Sequence, residues 1–278
     1  MNAAATLRGR FAPAHTDRVV VLCYHSVHDR IPFASVSPAM FAQHLGWLRD
    51  RCDVIPFRDV PQAAISPGRG RPRVAITFDD GYADNHHHAL PLLLEYGLVA
   101  SFYATVGLVD GDPEVVDRFA TVRRTPRADV AAMSWPELRE LCDAGMEVGS
   151  HMMTHRNLHK LDREALDFEL RGSRERLEDG LGRRVTTLCY PFGKPRRHLG
   201  VETTERAAAA GYEIGGAVVP RAVRASDSPF VIPRFNVSGC TVPVLAGVVA
   251  GAWDVMGHAQ EAMPMPVARL VSPMDFTF

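Results

Sequence analysis

The chain has 278 residues, 46% hydrophobic and 23% charged, with 31 basic side chains against 32 acidic ones. That is the composition of an ordinary globular protein, long enough for one α/β barrel or two small domains. A net charge near zero, with no basic stripe and no acidic tail, does not imply nucleic acid or anionic membrane as a partner.

The opening stretch, MNAAATLRGRFAPAHTDR, has no apolar core of the kind a signal peptide needs. Residues 1–17 read as an N-terminal extension. A first β-type run, VVVLCYH (19–25), leads through a loop to a helical stretch, SPAMFAQHLGWLRD, with Phe41, Leu45 and Leu48 on one face. CDVIPF reads as a second strand and GRGRPR as an exposed turn. VAITF (74–78) is a buried strand, followed by the helix ADNHHHALPLLLEYG, which Gly97 closes. VASFYAT is the next strand. Residues 110–131 are polar, contain proline and are weakly periodic, so they read as a long loop or insertion. SWPELRELCDAG opens with the capping-box pair Ser134 and Glu137 and ends at Gly145.

MEVGS is a strand, DREALDFELRGSRERLEDG a long amphipathic helix and VTTLCY a strand. ETTERAAAAG is a helix, and YEIGGAV and FVIPRF are strands. The run VPVLAGVVAGAW (242–253) falls short of the roughly 18 residues of a membrane span and reads as a buried or amphipathic helix. Strand and helix alternate about seven times without an internal repeat. Neither G-x-G-x-x-G nor a Walker-type loop is present, so the rhythm predicts a distorted (β/α) barrel of about seven parallel strands. One domain over 18–257 and a C-terminal tail over 258–278 complete the expected organisation. Five scattered cysteines without a Cys-x-x-Cys pair argue against a disulfide framework. The expectation is a reduced, cytoplasmic, soluble protein.

The groups just past the strand ends carry the chemistry. They are His25, the pair Asp79-Asp80, His151 with His155 four residues on, and the turn Pro191-Phe192-Gly193; Arg234 sits within the strand FVIPRF. In α/β barrels the C-terminal rim is where loops converge on a site. Each piece alone is weak; His86, His87 and His88, on the helix after the aspartates, read as solvated or packing residues. Together the pieces point to a divalent metal held by Asp80, His151 and His155. Two imidazoles and one carboxylate leave an open position, the arrangement of catalytic zinc. The ion would relieve the repulsion between Asp79 and Asp80. Asp79 would stay free as a base, because Met152 stands where H-E-x-x-H would place a glutamate.

The motifs TFDDGY, GSHMMTH and YPFG, in that order, resemble the polysaccharide deacetylase family (carbohydrate esterase family 4, the NodB-homology domain) over roughly residues 18–237. LCYHSV and IPRFNV resemble a circularly permuted branch of it. The resemblance implies Asp79 as general base, Asp80, His151 and His155 as metal triad, His25 as general acid, and the Phe192 backbone N–H as oxyanion donor. Met152 and Arg156 replace the Ser or Thr and the Pro that usually follow the two metal histidines. Cys189 replaces the arginine that orients the base, and Arg234 is the candidate to supply that charge. The implied activity is metal-dependent removal of an N-acetyl group from an amino sugar, with zinc as the expected ion and cobalt or nickel as alternatives. Another amide, such as a formamide on a lipid-linked amino sugar or a small cyclic amide, is the second reading. A catalytically inert carbohydrate-binding relative is the third.

Overall fold

The computed structural model describes residues 17–29, 35–68 and 70–262. The N-terminal extension and the C-terminal tail expected from the sequence lie for the most part outside these residues. In chain order the strands are β1 (Val19–Tyr24), β2 (Ser26–Val27), β3 (Ser35–Val36), β4 (Asp53–Val54) and β5 (Arg73–Phe78). They continue with β6 (Ser101–Ala104), β7 (Glu147–Ser150), β8 (Thr187–Cys189), β9 (Ile214–Val218) and β10 (Ile232–Asn236). Seven of them run β1-β10-β9-β8-β7-β6-β5, and β1 pairs with β5 to close the ring. Every pairing around that ring is parallel. The barrel predicted from the alternation of elements is therefore present. Its distortion is local: β4 pairs with the first two residues of β5 and β6 with the last two, so the two share one edge.

Because a strand turns alternate side chains to opposite faces, the barrel sorts its residues into two apolar clusters. Val19, Val21, Ala75, Tyr103, Cys189, Ile214 and Ile232 form the inner one. Their neighbours Val20, Leu22, Val74, Ile76, Phe102 and Leu188 join the outer cluster, with Phe41, Leu45, Leu93, Leu138 and Leu177 of the surrounding helices. The inner series continues upward, two residues at a time, from Val21 through Cys23 to His25 and from Ala75 through Thr77 to Asp79. This alternation delivers the polar groups to the mouth. The register does the rest. β1 and β5 align from Val19 with Arg73 to Tyr24 with Phe78, which sets His25 beside Asp79. β6 and β7 align to Ala104 with Ser150, and the His151 N–H donates to the Ala104 carbonyl at 2.9 Å.

Four elements differ from expectation. CDVIPF keeps only two strand residues, since a third strand on that edge of β5 would displace β6. Residues 110–131 are not an unbroken loop: a helix spans Pro113–Arg123. Asp112 caps it by accepting from the N–H groups of Glu114 and Val115, Pro113 starts it, and Val115, Phe119 and Arg123 form its buried stripe. The helix after the aspartates opens as a π-turn, Asn85–Ala89, before the α-helix Leu90–Tyr96 that Gly97 closes at φ 65°. The long helix after residue 162 is likewise interrupted by a π-segment at Phe168–Gly172. Such π-segments recur at functional sites. All five cysteines are free. Among the described residues no helix is long and apolar enough to cross a membrane.

Candidate metal centre and catalytic groups

Among the described residues, six non-glycine residues have left-handed backbone, including Asp80 (φ 78°), Met152 (φ 69°), His155 (φ 56°) and Phe192 (φ 61°). Such conformations cost about 1–3 kcal/mol each and persist where the surroundings over-determine them. Here they bend the rim loops so that side chains converge. Asp80 Oδ1 lies 3.4 Å from His151 Nε2 and 3.3 Å from His155 Nε2. The three ligand atoms lie within 4.8 Å of one another, and all three residues are buried. Asp80 Oδ1 is sealed from solvent with no hydrogen-bond partner. A buried acceptor facing two imidazole nitrogens is the place for a cation.

Each histidine is held from behind. His151 Nδ1 donates to the Cys189 carbonyl at 2.7 Å, which leaves Nε2 as the lone pair facing Asp80. His155 is packed between the rings of Phe119 and Phe192, both 4.9 Å away. The loop between the histidines hangs on Glu169, whose Oε2 accepts from the N–H groups of Met153 and Thr154 at 2.9 Å each. Met152, where the family usually has Ser or Thr, donates its N–H to Ser150 Oγ at 3.0 Å. The two rings respond differently to the site. For His151 burial favours the neutral form, but Asp79 and Asp80 outweigh it and the pKa moves up. For His155 burial prevails over Asp80 and the pKa moves down.

The adjacent carboxylates do not wait for an ion to relieve their repulsion, as the sequence had suggested. Each has its own arginine. Arg234, fully buried on β10, grips Asp79 through two hydrogen bonds of 2.7 Å and also donates to Thr77 Oγ1 at 3.1 Å. It crosses the barrel over Gly216, where a Cβ would come within 2.9 Å of its Nε. Burial works against the Asp79 charge, yet Arg234 overcomes it and holds the carboxyl at about 2. Asp80 Oδ2 accepts from Arg123 at 2.6 Å. Burial opposes its charge too, and the adjacent His151 and His155 imidazoles, together with Arg123, drive it well below the usual carboxylate range. Arg123 stacks over the Tyr82 ring, 4.3 Å from its centroid.

Of the residues singled out in the sequence, the structure brings His25, Asp79, Asp80, His151, His155, Phe192 and Arg234 to one end of the barrel. His25, Cys23 and Asp79 offer atoms within 4.8 Å of one another. Burial lowers the His25 ring to about 4, against the pull of Asp80 and Asp79. Its Nδ1 is buried without a partner. Phe192 is exposed at the mouth, and its N–H has no backbone partner among the described residues. Sequence reasoning missed Arg123, Phe119 and Glu169. The first two lie on the helix read as a loop, whose Asp112-Pro113 start and four-residue spacing of Val115, Phe119 and Arg123 were the available signal. Nothing local marks Glu169, which is one of several acidic residues on its helix.

The sequence pattern of the family described as polysaccharide deacetylase matches residues 67–215, more than half of the chain. The chain belongs to the polysaccharide deacetylase family. Its members are hydrolases that remove acetyl groups from carbohydrate, generally with a bound metal, and the Asp80, His151 and His155 cluster is a donor set of the right kind. The chain is 23% identical over 242 residues to YxkH of Bacillus subtilis (strain 168), which is named as a polysaccharide deacetylase. That match covers 85% of this chain and 76% of the relative. Among solved structures, the Streptococcus pyogenes deacetylase PplD, in complex with acetate, superposes with a TM-score of 0.67. The identity is 21%, covering 78% of this chain and 91% of that one. The de-N-acetylase of Aggregatibacter actinomycetemcomitans gives 0.65 at 20% identity, covering 83% and 99%. IcaB of Ammonifex degensii gives 0.63 at 24% identity, covering 86% and 97%. At these identities the structural likeness establishes the fold.

Proposed function

We propose that this enzyme hydrolyses the N-acetyl group of an amino sugar at the barrel mouth, with one divalent ion on Asp80 Oδ1, His151 Nε2 and His155 Nε2. The observation that carries the reading is the sealed, unpartnered Asp80 Oδ1 facing two imidazole nitrogens. Two imidazoles and a carboxylate suit zinc, with cobalt and nickel as close alternatives. When bound, such an ion polarises an acyl carbonyl and acidifies water.

The protein's own groups do the rest. Asp79 accepts the proton of the attacking water. Arg234 occupies one acceptor position on each of its oxygens, and the Cys23 thiol, 3.4 Å away, a second on Oδ2. That leaves Oδ1 one lone pair for the proton. A carboxyl held at about 2 is a weak base, so Asp79 works as a transit point. His25 is neutral at pH 7, because burial holds it at about 4. It takes the proton from Asp79 and passes it to the departing nitrogen, which cannot leave as an amide anion. The unpaired Phe192 N–H is the candidate donor to the tetrahedral oxyanion; one such donor is worth about 2.7–4 kcal/mol. The exposed Phe192 ring beside His155 and His198 offers a sugar an apolar face. Products are acetate and a free amino sugar.

The test is acetate release from a panel of N-acetylated amino sugars, with metal content measured alongside. Asp80→Ala is expected to lose both the ion and turnover. Asp79→Asn is expected to keep the ion and lose turnover; full turnover in that variant refutes the proton route.

A further inference from the structure

The three consecutive histidines that the catalytic reading leaves unused converge on a second cluster. His86 and His87 sit on the π-turn Asn85–Ala89, and Glu137 and Glu140 lie on the facing helix Trp135–Asp143. One nitrogen of each imidazole and one oxygen of Glu137 fall within 4.8 Å of one another. The carboxylates are set before any ligand arrives. Glu137 Oε2 accepts from the Ser134 N–H at 2.6 Å while the Glu137 N–H donates to Ser134 Oγ at 3.5 Å, which is the capping box of that helix, and Ser134 Oγ also donates to Oε2 at 2.7 Å. Its other oxygen, Oε1, is thereby aimed at the histidines, 2.8 Å from His87 Nε2 and 3.7 Å from His86 Nδ1.

The decisive detail is His86. Its Nε2 bonds Glu140 at 2.8 Å, so that nitrogen carries a proton and Nδ1 presents a lone pair. Nδ1 is sealed from solvent and has no hydrogen-bond partner. It faces Glu137 Oε1, another acceptor. Glu137 Oε1 accepts one hydrogen bond, from His87 Nε2 at 2.8 Å, and keeps a lone pair toward the bare His86 Nδ1, so a cation that displaces the His87 proton would be held by all three atoms. A carboxylate fixing the far nitrogen of a histidine is also the arrangement that orients metal-bound imidazoles. We infer that His86 Nδ1, His87 Nε2 and Glu137 Oε1 form a second divalent-metal site, separate from the catalytic one, for zinc or a similar borderline ion, with Glu140 orienting His86.

The location gives the site a purpose. The loop carrying Asp79 and Asp80 is stitched to the segment before helix Trp135–Asp143 by two backbone bonds, Met133 N–H to Gly81 O and Ala83 N–H to Ala131 O, both 2.9 Å. An ion at His86, His87 and Glu137 clamps the same two segments a few residues further on. The site steadies the catalytic loop without touching substrate.

The inference is independent of the catalytic reading, because its test counts ions. The intact protein is equilibrated with a small excess of zinc, desalted and weighed by native mass spectrometry beside His86→Ala/His87→Ala and Asp80→Ala/His151→Ala. The surface double variant is expected to hold one zinc fewer per chain than the wild type. The catalytic double variant is expected to keep the zinc that the surface variant loses. His87→Gln, at a half-exposed position that tolerates a polar side chain, repeats the comparison with little risk to folding. An unchanged zinc count in the surface variants overturns the inference.

Discussion

Asp79 and Asp80 are neighbours in sequence, are both buried, and each faces an arginine, yet their two surroundings differ in one respect. The inner pair, Asp79 with Arg234, is closed: both oxygens are engaged by one guanidinium inside the barrel. The outer pair, Asp80 with Arg123, is open: one oxygen is taken and the other is left bare toward two imidazoles. Two identical side chains thus become an anchored carboxylate and a ligand. The number of donors around each carboxylate makes the difference, since both charges are compensated.

The largest effect is expected at the closed pair. Arg234→Met leaves the Asp79 charge buried and unpaired, which costs about 3–5 kcal/mol. Urea denaturation measures it, and adding Asp79→Asn should recover a substantial part of the loss. A single variant as stable as the wild type would break the comparison.

Acid titration probes the same pair more gently. The Asp79 pKa falls from 3.8 to about 2 on folding. The folded state therefore binds the proton less readily than the unfolded chain, and the gain is complete above about pH 4. It is lost as pH falls toward 2, and amounts to about 2.4 kcal/mol for a shift of this size. Asp79→Asn should flatten that part of the stability curve.

The open pair adds an effect on metal to its cost in folding. Arg123→Met frees Asp80 to turn, and zinc affinity should fall about 10–100-fold, as for other groups that orient a ligand. Arg123→Lys, which keeps the charge and loses the fork, should recover part of it. The smallest effect belongs to Cys23, whose thiol touches Asp79 at 3.4 Å. Cys23→Ser should change stability by no more than about 1 kcal/mol. A larger change would move weight from Arg234 to the thiol.

The barrel was legible because its strands are short, apolar and evenly spaced, and because several lead into a residue that is odd for a core, His25, Asp79 and His151, while the last carries Arg234 within it. The helix Pro113–Arg123 was not. Its buried stripe is Val115, Phe119 and Arg123, and a charged residue on that stripe breaks the apolar period on which helix reading depends. Arg123 belongs in the interior only because Asp80, 43 positions earlier, meets it there. The relief of Asp80 was missed for the same reason. A sequence shows two carboxylates side by side; Arg234 of strand β10 was already the candidate charge beside Asp79, but the Arg123 that meets Asp80 arrives from helix Pro113–Arg123. The π-turn of His86 and His87 was equally hidden, since a wider helical turn and an ordinary one share one composition.

The most direct measurement is a crystal structure of the zinc-soaked protein with anomalous data collected at the zinc edge. The account predicts a peak bonded to Asp80 Oδ1, His151 Nε2 and His155 Nε2, with Oδ2 still on Arg123 and Asp79 still gripped by Arg234. A peak bridging Asp79 and Asp80, or no peak among those three side chains, would contradict it.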